Sequence, residues 1–170
     1  MTEDTEKQNL NNFLIHAVAL YDSEKIKVLI EEGADINGYA DNTEPYYAGM
    51  TALLVAVRGG SAQDVKVIIE AGADVNQPSL GQLKTTPIMM ACKCNSPNEE
   101  VARLLLESGA DALATDKLGR TARQMIKADG GIESKKVAAI LDAHLALKEK
   151  EHLESTMSPI EQKTNKKVKL

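Results

Sequence analysis

Three histidines, two cysteines and a recurring aspartate are the residues here whose chemistry could make or break bonds. Nucleophilic catalysis needs a serine or cysteine beside a base, and a third group that orients the base. The histidines are His16, His144 and His152, and no serine or cysteine stands in a motif that pairs it with one of them. His16 is expected on a core- or connector-facing side of a helix. His144 follows Leu141 by three residues and is expected to cover apolar surface, while His152 falls in a polar tail. Cys92-Lys93-Cys94 has the wrong spacing for a zinc knuckle, and the chain has no second cysteine pair. Two thiols so placed on a helix diverge by about 200°. Cys92, next to Ala91, reads as core, and Cys94 as nearer the surface. Gly59-Gly60-Ser61 and Gly130-Gly131 do not lead into the Lys-Ser/Thr ending of a phosphate loop, so both read as turns between helices. No catalytic residue, metal or cofactor is expected.

The elements that must position any site follow from composition and repetition. The chain has 170 residues, 43% hydrophobic and 26% charged, with a net charge of −5. That is enough for one packed array and too apolar for a disordered chain. Aromatic residues are 3%, with one Phe and no Trp, so the core must be built from Leu, Ile, Val, Ala and Met. So few aromatic faces exclude a stacking platform for single-stranded nucleic acid. The negative charge argues against nucleic acid as the main ligand. No apolar run approaches the roughly 18 residues of a membrane span. The acidic start, Met1-Thr2-Glu3-Asp4, is unlike a signal peptide. A cytoplasmic monomer is expected.

Gly33-Ala34-Asp35-Ile36-Asn37 recurs as Gly72-Ala73-Asp74-Val75-Asn76 and, degraded, as Gly109-Ala110-Asp111-Ala112-Leu113. Thr51-Ala52-Leu53, Thr86-Pro87-Ile88 and Thr121-Ala122 run in step, 35 residues apart, with Asn12-Phe13-Leu14 in the same place of an earlier unit. Thr or Asn at that marker caps a helix, and Pro87 suits a first turn. Small residues follow (Ala17, Ala56, Ala91), which lets a second helix approach. Asp22, Ser61 and Ser96 read as caps of the second helices, the latter two as capping boxes. Those helices carry Ile26, Leu29, Ile30; Val65, Ile68, Ile69; and Val101, Leu104, Leu105, a helical period. Each ends at a glycine that tolerates the left-handed conformation. Asp35, Asp74 and Asp111, recurring with the unit, read as connector hydrogen-bonding residues and not as an acid–base pair.

These units resemble ankyrin repeats, whose motif runs G-x-T-P-L-H-x-A-A and closes on L-L-x-x-G-A-D-V-N. Gly49-Met50-Thr51-Ala52-Leu53 and Gly119-Arg120-Thr121-Ala122 match the opening, and Ile68 to Asn76 the close. The resemblance covers residues 9–147 and implies an all-α solenoid of about four helix-turn-helix units. Hairpin-like connectors join the units, and a C-terminal capping helix closes the stack. The repeats are read at 9–38, 47–77, 82–114 and 117–147. The motif histidine is missing; Leu54, Met89 and Gln124 stand in its place, which implies looser junctions. The first connector, Gly38 to Met50, is about six residues longer than the motif. Unit four lacks the glycine stop, and its second helix runs on through Val137, Ile140, Leu141, His144 and Leu145. Residues 1–8 read as a solvated arm. Residues 148–170 read as a polar tail with a basic end, broken by Ser155, Ser158 and Pro159. Lys166-Lys167-Val168-Lys169 fits a short nuclear-import pattern, and the tail is also similar to export signals of bacterial effectors.

The resemblance implies a non-catalytic module that binds a protein partner on the concave face made by connector tips and first helices. The alternative is a stoichiometric inhibitor or immunity protein, or an effector acting on a host protein. Carried over position by position, the binding residues are Tyr39, Tyr46, Tyr47 and Met50 in the first connector. Gln82 and Leu83 follow in the second and Lys117 and Arg120 in the third. Thr85 and Leu118 flank these, and Arg58 and Lys93 stand late in first helices. Three of the four tyrosines of the chain fall in one polar connector. Tyr and Arg are enriched at binding hot spots, and the mixture suits an acidic or mixed partner surface.

Overall fold

The computed structural model describes residues 3–41, 45–93, 98–126 and 131–156. Within them the chain forms helices in pairs. α1 (Glu3–Ala19) and α2 (Ser23–Glu31) make the first pair, α3 (Ala52–Gly59) and α4 (Ala62–Glu70) the second. α5 (Pro87–Lys93) and α6 (Glu99–Glu107) follow, then α7 (Ala122–Met125) and α8 (Ile132–Thr156). Packing runs in sequence order. α1, α3, α5 and α7 stack into one layer, and α2, α4, α6 and α8 into a second against it. The only bridges among the described residues are isolated ones, Tyr39 with Thr51 and Thr115 with Thr121, which close hairpin-like connectors.

The caps explain where helices begin. The Thr51 hydroxyl accepts the Leu54 N–H, and Pro87 opens α5 as the spacing predicts. Asp22 accepts from Lys25 N, and the Ser61 hydroxyl from Asp64 N. The α6 cap is Asn98, whose side chain accepts from Glu100 N and Val101 N, where the capping-box reading favoured Ser96. Asn98 lies directly before the first helical residue, and its short side chain reaches both N–H groups. Its amide also donates to Gly60 O, tying α6 to the turn of the preceding pair.

The core is the aliphatic one that composition demands. Leu14, Ile15, Ile26, Leu53, Leu54, Ile68, Ile88, Met89, Leu105 and Leu141 are all but fully buried, and Ala17, Ala56 and Ala91 line the helix contacts. Cys92 is buried as expected, while Cys94 lies outside the described residues.

Both chain ends depart from expectation. The solvated arm 1–8 is helical from Glu3, because no glycine or proline interrupts the sequence before Ala19. Asn12 is therefore inside α1 and caps nothing; its side chain accepts the Asp41 N–H. Gln8 is half-buried and donates to Tyr39 O. At the other end, Lys148–Thr156 of the expected tail continues α8. Exposed pairs three and four residues apart, Lys148–Glu151 and Lys150–Glu154, support this helical extension. The serine at 155 does not break it; the Ser155 and Thr156 hydroxyls turn back onto His152 O. The basic stretch Lys166–Lys169 lies outside the described residues.

One buried polar contact ties the first two pairs together. The Ser23 hydroxyl donates to Asp64 Oδ1 at 2.6 Å, while Asp64 Oδ2 is buried without a partner.

Candidate functional site

An asparagine ladder holds the connectors in register. Asn11 Oδ1 accepts Asp35 N, Asn37 Oδ1 accepts Asp74 N, and Asn76 Oδ1 accepts Asp111 N, at 2.7–2.8 Å. Asn37 and Asn76 also donate to Gly72 O and Gly109 O of the next unit. Asp35, Asp74 and Asp111 each accept the N–H two residues on, as expected of connector residues. The next ladder position holds Leu113, 65% exposed. Unit four has no matching turn to receive an amide, so the ladder ends there.

This register sets the connector tips side by side. Leu80 N donates to Gly49 O, and Lys117 N donates to Leu83 O. Gly49 has φ +72, and a Cβ there would lie 2.9 Å from that of Leu80, so the first two tips touch through a position only glycine fills. Along the ridge the tips expose one large apolar side chain each: Tyr46 at 74%, Leu80 at 62% and Leu118 at 65%.

The first tip is a built cluster. The Arg58 guanidinium lies 5.1 Å from the Tyr46 ring centroid and donates to Tyr46 O. Tyr47 packs edge-on against Tyr46 with centroids 5.7 Å apart, and its own ring is half-buried against the core. Tyr39, grouped with them in the sequence, has a structural place: it is half-buried and donates its hydroxyl to Pro78 O. Met50 is half-buried too, and its carbonyl accepts Ala40 N across the hairpin.

The remaining candidates divide in the same way. Gln82 and Lys93 are exposed, whereas Leu83 is half-buried and Thr85 buried. Lys117 is exposed. Arg120 is half-buried and donates from Nε and Nη2 to one oxygen, Asp116 Oδ2, at 3.0 and 2.7 Å. Leu80 was not among the candidates. Its signal is an apolar residue before Gly81 in an otherwise polar connector, which spacing alone does not separate from core.

Burial would push the Asp116 carboxyl up, but the backbone N–H groups of Arg120 and Leu118 and the Arg120 guanidinium outweigh it. The group is held below the usual carboxylate range. Its stabilising effect is complete above the unfolded value of about 3.9 and is lost as pH falls through the lower folded value. Asp116→Asn should therefore melt below wild type at pH 7, and the gap should narrow as pH falls below the unfolded value of about 3.9. Thermal melts on either side of that value check this.

The histidines do not gather. His16 is exposed on α1, so the core-facing half of its expectation fails: it lies about 200° around the helix from the buried Leu14 and Val18. His144 lines a groove of about 460 Å³ between α6 and α8, beside Leu106, Ile140 and Leu147. The described residues hold no group of His, Cys, Asp and Glu able to bind a metal, and no helix long and apolar enough to cross a membrane.

Comparison with protein families gives two matches. A model described as ankyrin repeats, three copies, matches residues 2–79, and one described as ankyrin repeats, many copies, matches residues 68–126. The chain is an ankyrin-repeat protein. Its stacked helix pairs and hairpin connectors are the solenoid that the repeat implies. No curated protein matches the chain. Ankyrin repeats are in general protein–protein interaction modules and typically non-catalytic. The Thr86 hydroxyl before α5 of this ankyrin solenoid is buried without a hydrogen-bond partner, unlike those of Thr51 and Thr121 at the same place in their units.

Proposed function

We propose that this ankyrin-repeat protein binds a protein partner along its ridge of connector tips, with the concave side of the first helices behind them. The observation that carries the reading is the row Tyr46, Leu80 and Leu118. Each of these adjoining tips leaves one large apolar side chain in solvent, whereas other exposed ones, such as Val28, Ile132, Leu147 and Leu153, are scattered on second helices. The tips are joined by backbone hydrogen bonds, so the row is held rigid before any partner arrives. Pre-organisation of this kind lowers the entropic cost of binding. Arg58 stacked on Tyr46 supplies the residue pair most enriched at hot spots.

Tyr46→Ala with Leu118→Ser should leave the fold intact and weaken the partner complex by about 1–3 kcal/mol for each hot-spot residue lost. The 170-residue chain and its double variant would each be used to capture partners from native lysate, with quantitative mass spectrometry. The expected result is a set of proteins kept by wild type and lost by the variant, with unchanged circular dichroism. Equal capture by both would show that the ridge is not the binding surface.

A further inference from the structure

We infer that the partner presents an acidic protein segment to this ridge, an inference that rests on the binding reading above. Between Pro45 and Arg123 the cations of the connector tips and first helices outnumber the carboxylates. Connector tips and first helices expose Arg58, Lys84, Lys93 and Lys117. Among the described residues from Pro45 to Arg123, the carboxylates of these same elements are Asp74, Asp111 and Asp116. The first two lie in the turns that close α4 and α6 and hold backbone N–H groups, and Asp116 is buried under Arg120. The second helices are mixed: Glu70 on α4 and Glu100 and Glu107 on α6 are exposed beside Lys66 and Arg103, which pair with Glu70 and Glu99. In a chain of net charge −5, the tips and first helices of the second and third pairs thus carry a local excess of cations, while Asp41 in the first connector and Glu6 on α1 lie outside that stretch.

Lys84 adds a second observation. It is held at φ +50, a conformation that glycine or asparagine adopts at less cost. Local backbone preference favours either of those residues there and does not account for a lysine at the centre of the ridge. Cations flanking exposed apolar side chains match an acidic segment with apolar anchors. Complementary charge of this kind speeds encounter and selects partners. A nucleic acid fits less well: the row offers one exposed aromatic face, Tyr46, and aliphatic side chains at the other two tips, where base stacking needs several aromatic faces.

The test uses the full chain, panned against a displayed library of random peptides about 15 residues long, with selected peptides resynthesised for anisotropy titration. Peptides rich in Asp and Glu with apolar residues are expected. Their affinity should fall at least about tenfold from about 50 to about 500 mM salt, and by a similar factor in the variant Lys84→Glu/Lys93→Glu/Lys117→Glu. Neutral or basic selected peptides, no enrichment, or full binding by the triple variant would overturn the inference. Tighter, triple-sensitive binding of a duplex DNA of about 30 base pairs would overturn it in favour of nucleic acid. The reading of the ridge fails separately: it falls if Tyr46→Ala/Leu118→Ser binds the selected peptides as wild type does.

Discussion

Leu105→Asp should abolish cooperative melting of the whole stack. Leu105 is fully buried on α6, which packs against α4, α5 and α8 at once. Truncating such a leucine alone costs about 2–5 kcal/mol. The carboxylate adds the cost of burying an unpaired charge, several kcal/mol more. Marginal stabilities of about 5–15 kcal/mol leave little after such a loss. Because each repeat is stabilised chiefly by its neighbours, failure at α6 removes the support of both adjoining units. Leu113→Asp, eight residues along but 65% exposed, is the control and should shift stability by no more than about 0.5 kcal/mol. Urea unfolding followed by circular dichroism separates the two outcomes. A wild-type transition in Leu105→Asp would show that α6 does not carry the stack.

Asn76→Ala should be the most costly polar substitution. Its side chain accepts Asp111 N at 2.8 Å and donates to Gly109 O at 3.1 Å, so one residue joins units two and three through two hydrogen bonds. Each is worth about 0.5–1.5 kcal/mol net, giving an expected loss of about 1–3 kcal/mol. The loss falls on a single interface, so hydrogen exchange should speed up most in α6 and the third connector and least in α1 and α2. Asn76→Asp tests the donor alone: it keeps the acceptor for Asp111 N and sets a carboxylate against Gly109 O. Uniform exchange across the chain in both variants would mean that the ladder does not couple neighbours.

Much of this was legible because a repeat states its rules several times. The Gly-Ala-Asp closes, the Thr starts and the helical spacing of Ile68, Leu105 and their equivalents each follow from local physics: a cap, a stop and a one-sided apolar stripe. They therefore placed the middle helices, the core and the Asp turns before any coordinates. The family and the all-helical solenoid followed from the same residues. The ends were misjudged because polar composition does not distinguish a solvated arm from an exposed helix. Lys148–Thr156 is as polar as a tail, yet pairs such as Lys150–Glu154 suit the helix it forms. The cap expected at Ser96, which lies outside the described residues, is made by Asn98, because α6 starts at Glu99.

The candidate surface divides along the same line. Residue types and spacing alone determined that the connectors are rich in Tyr, Arg and Lys and that the chain carries no recognisable catalytic constellation. They could not decide which of those side chains reach solvent. Tyr39 and Tyr46 are the same residue type in the same connector. One donates to Pro78 O from a half-buried position, and the other stands 74% exposed beneath Arg58. That difference arises from bonds between residues tens of positions apart, such as Leu80 N to Gly49 O. Such bonds exist only once the stacked helices have brought the tips together.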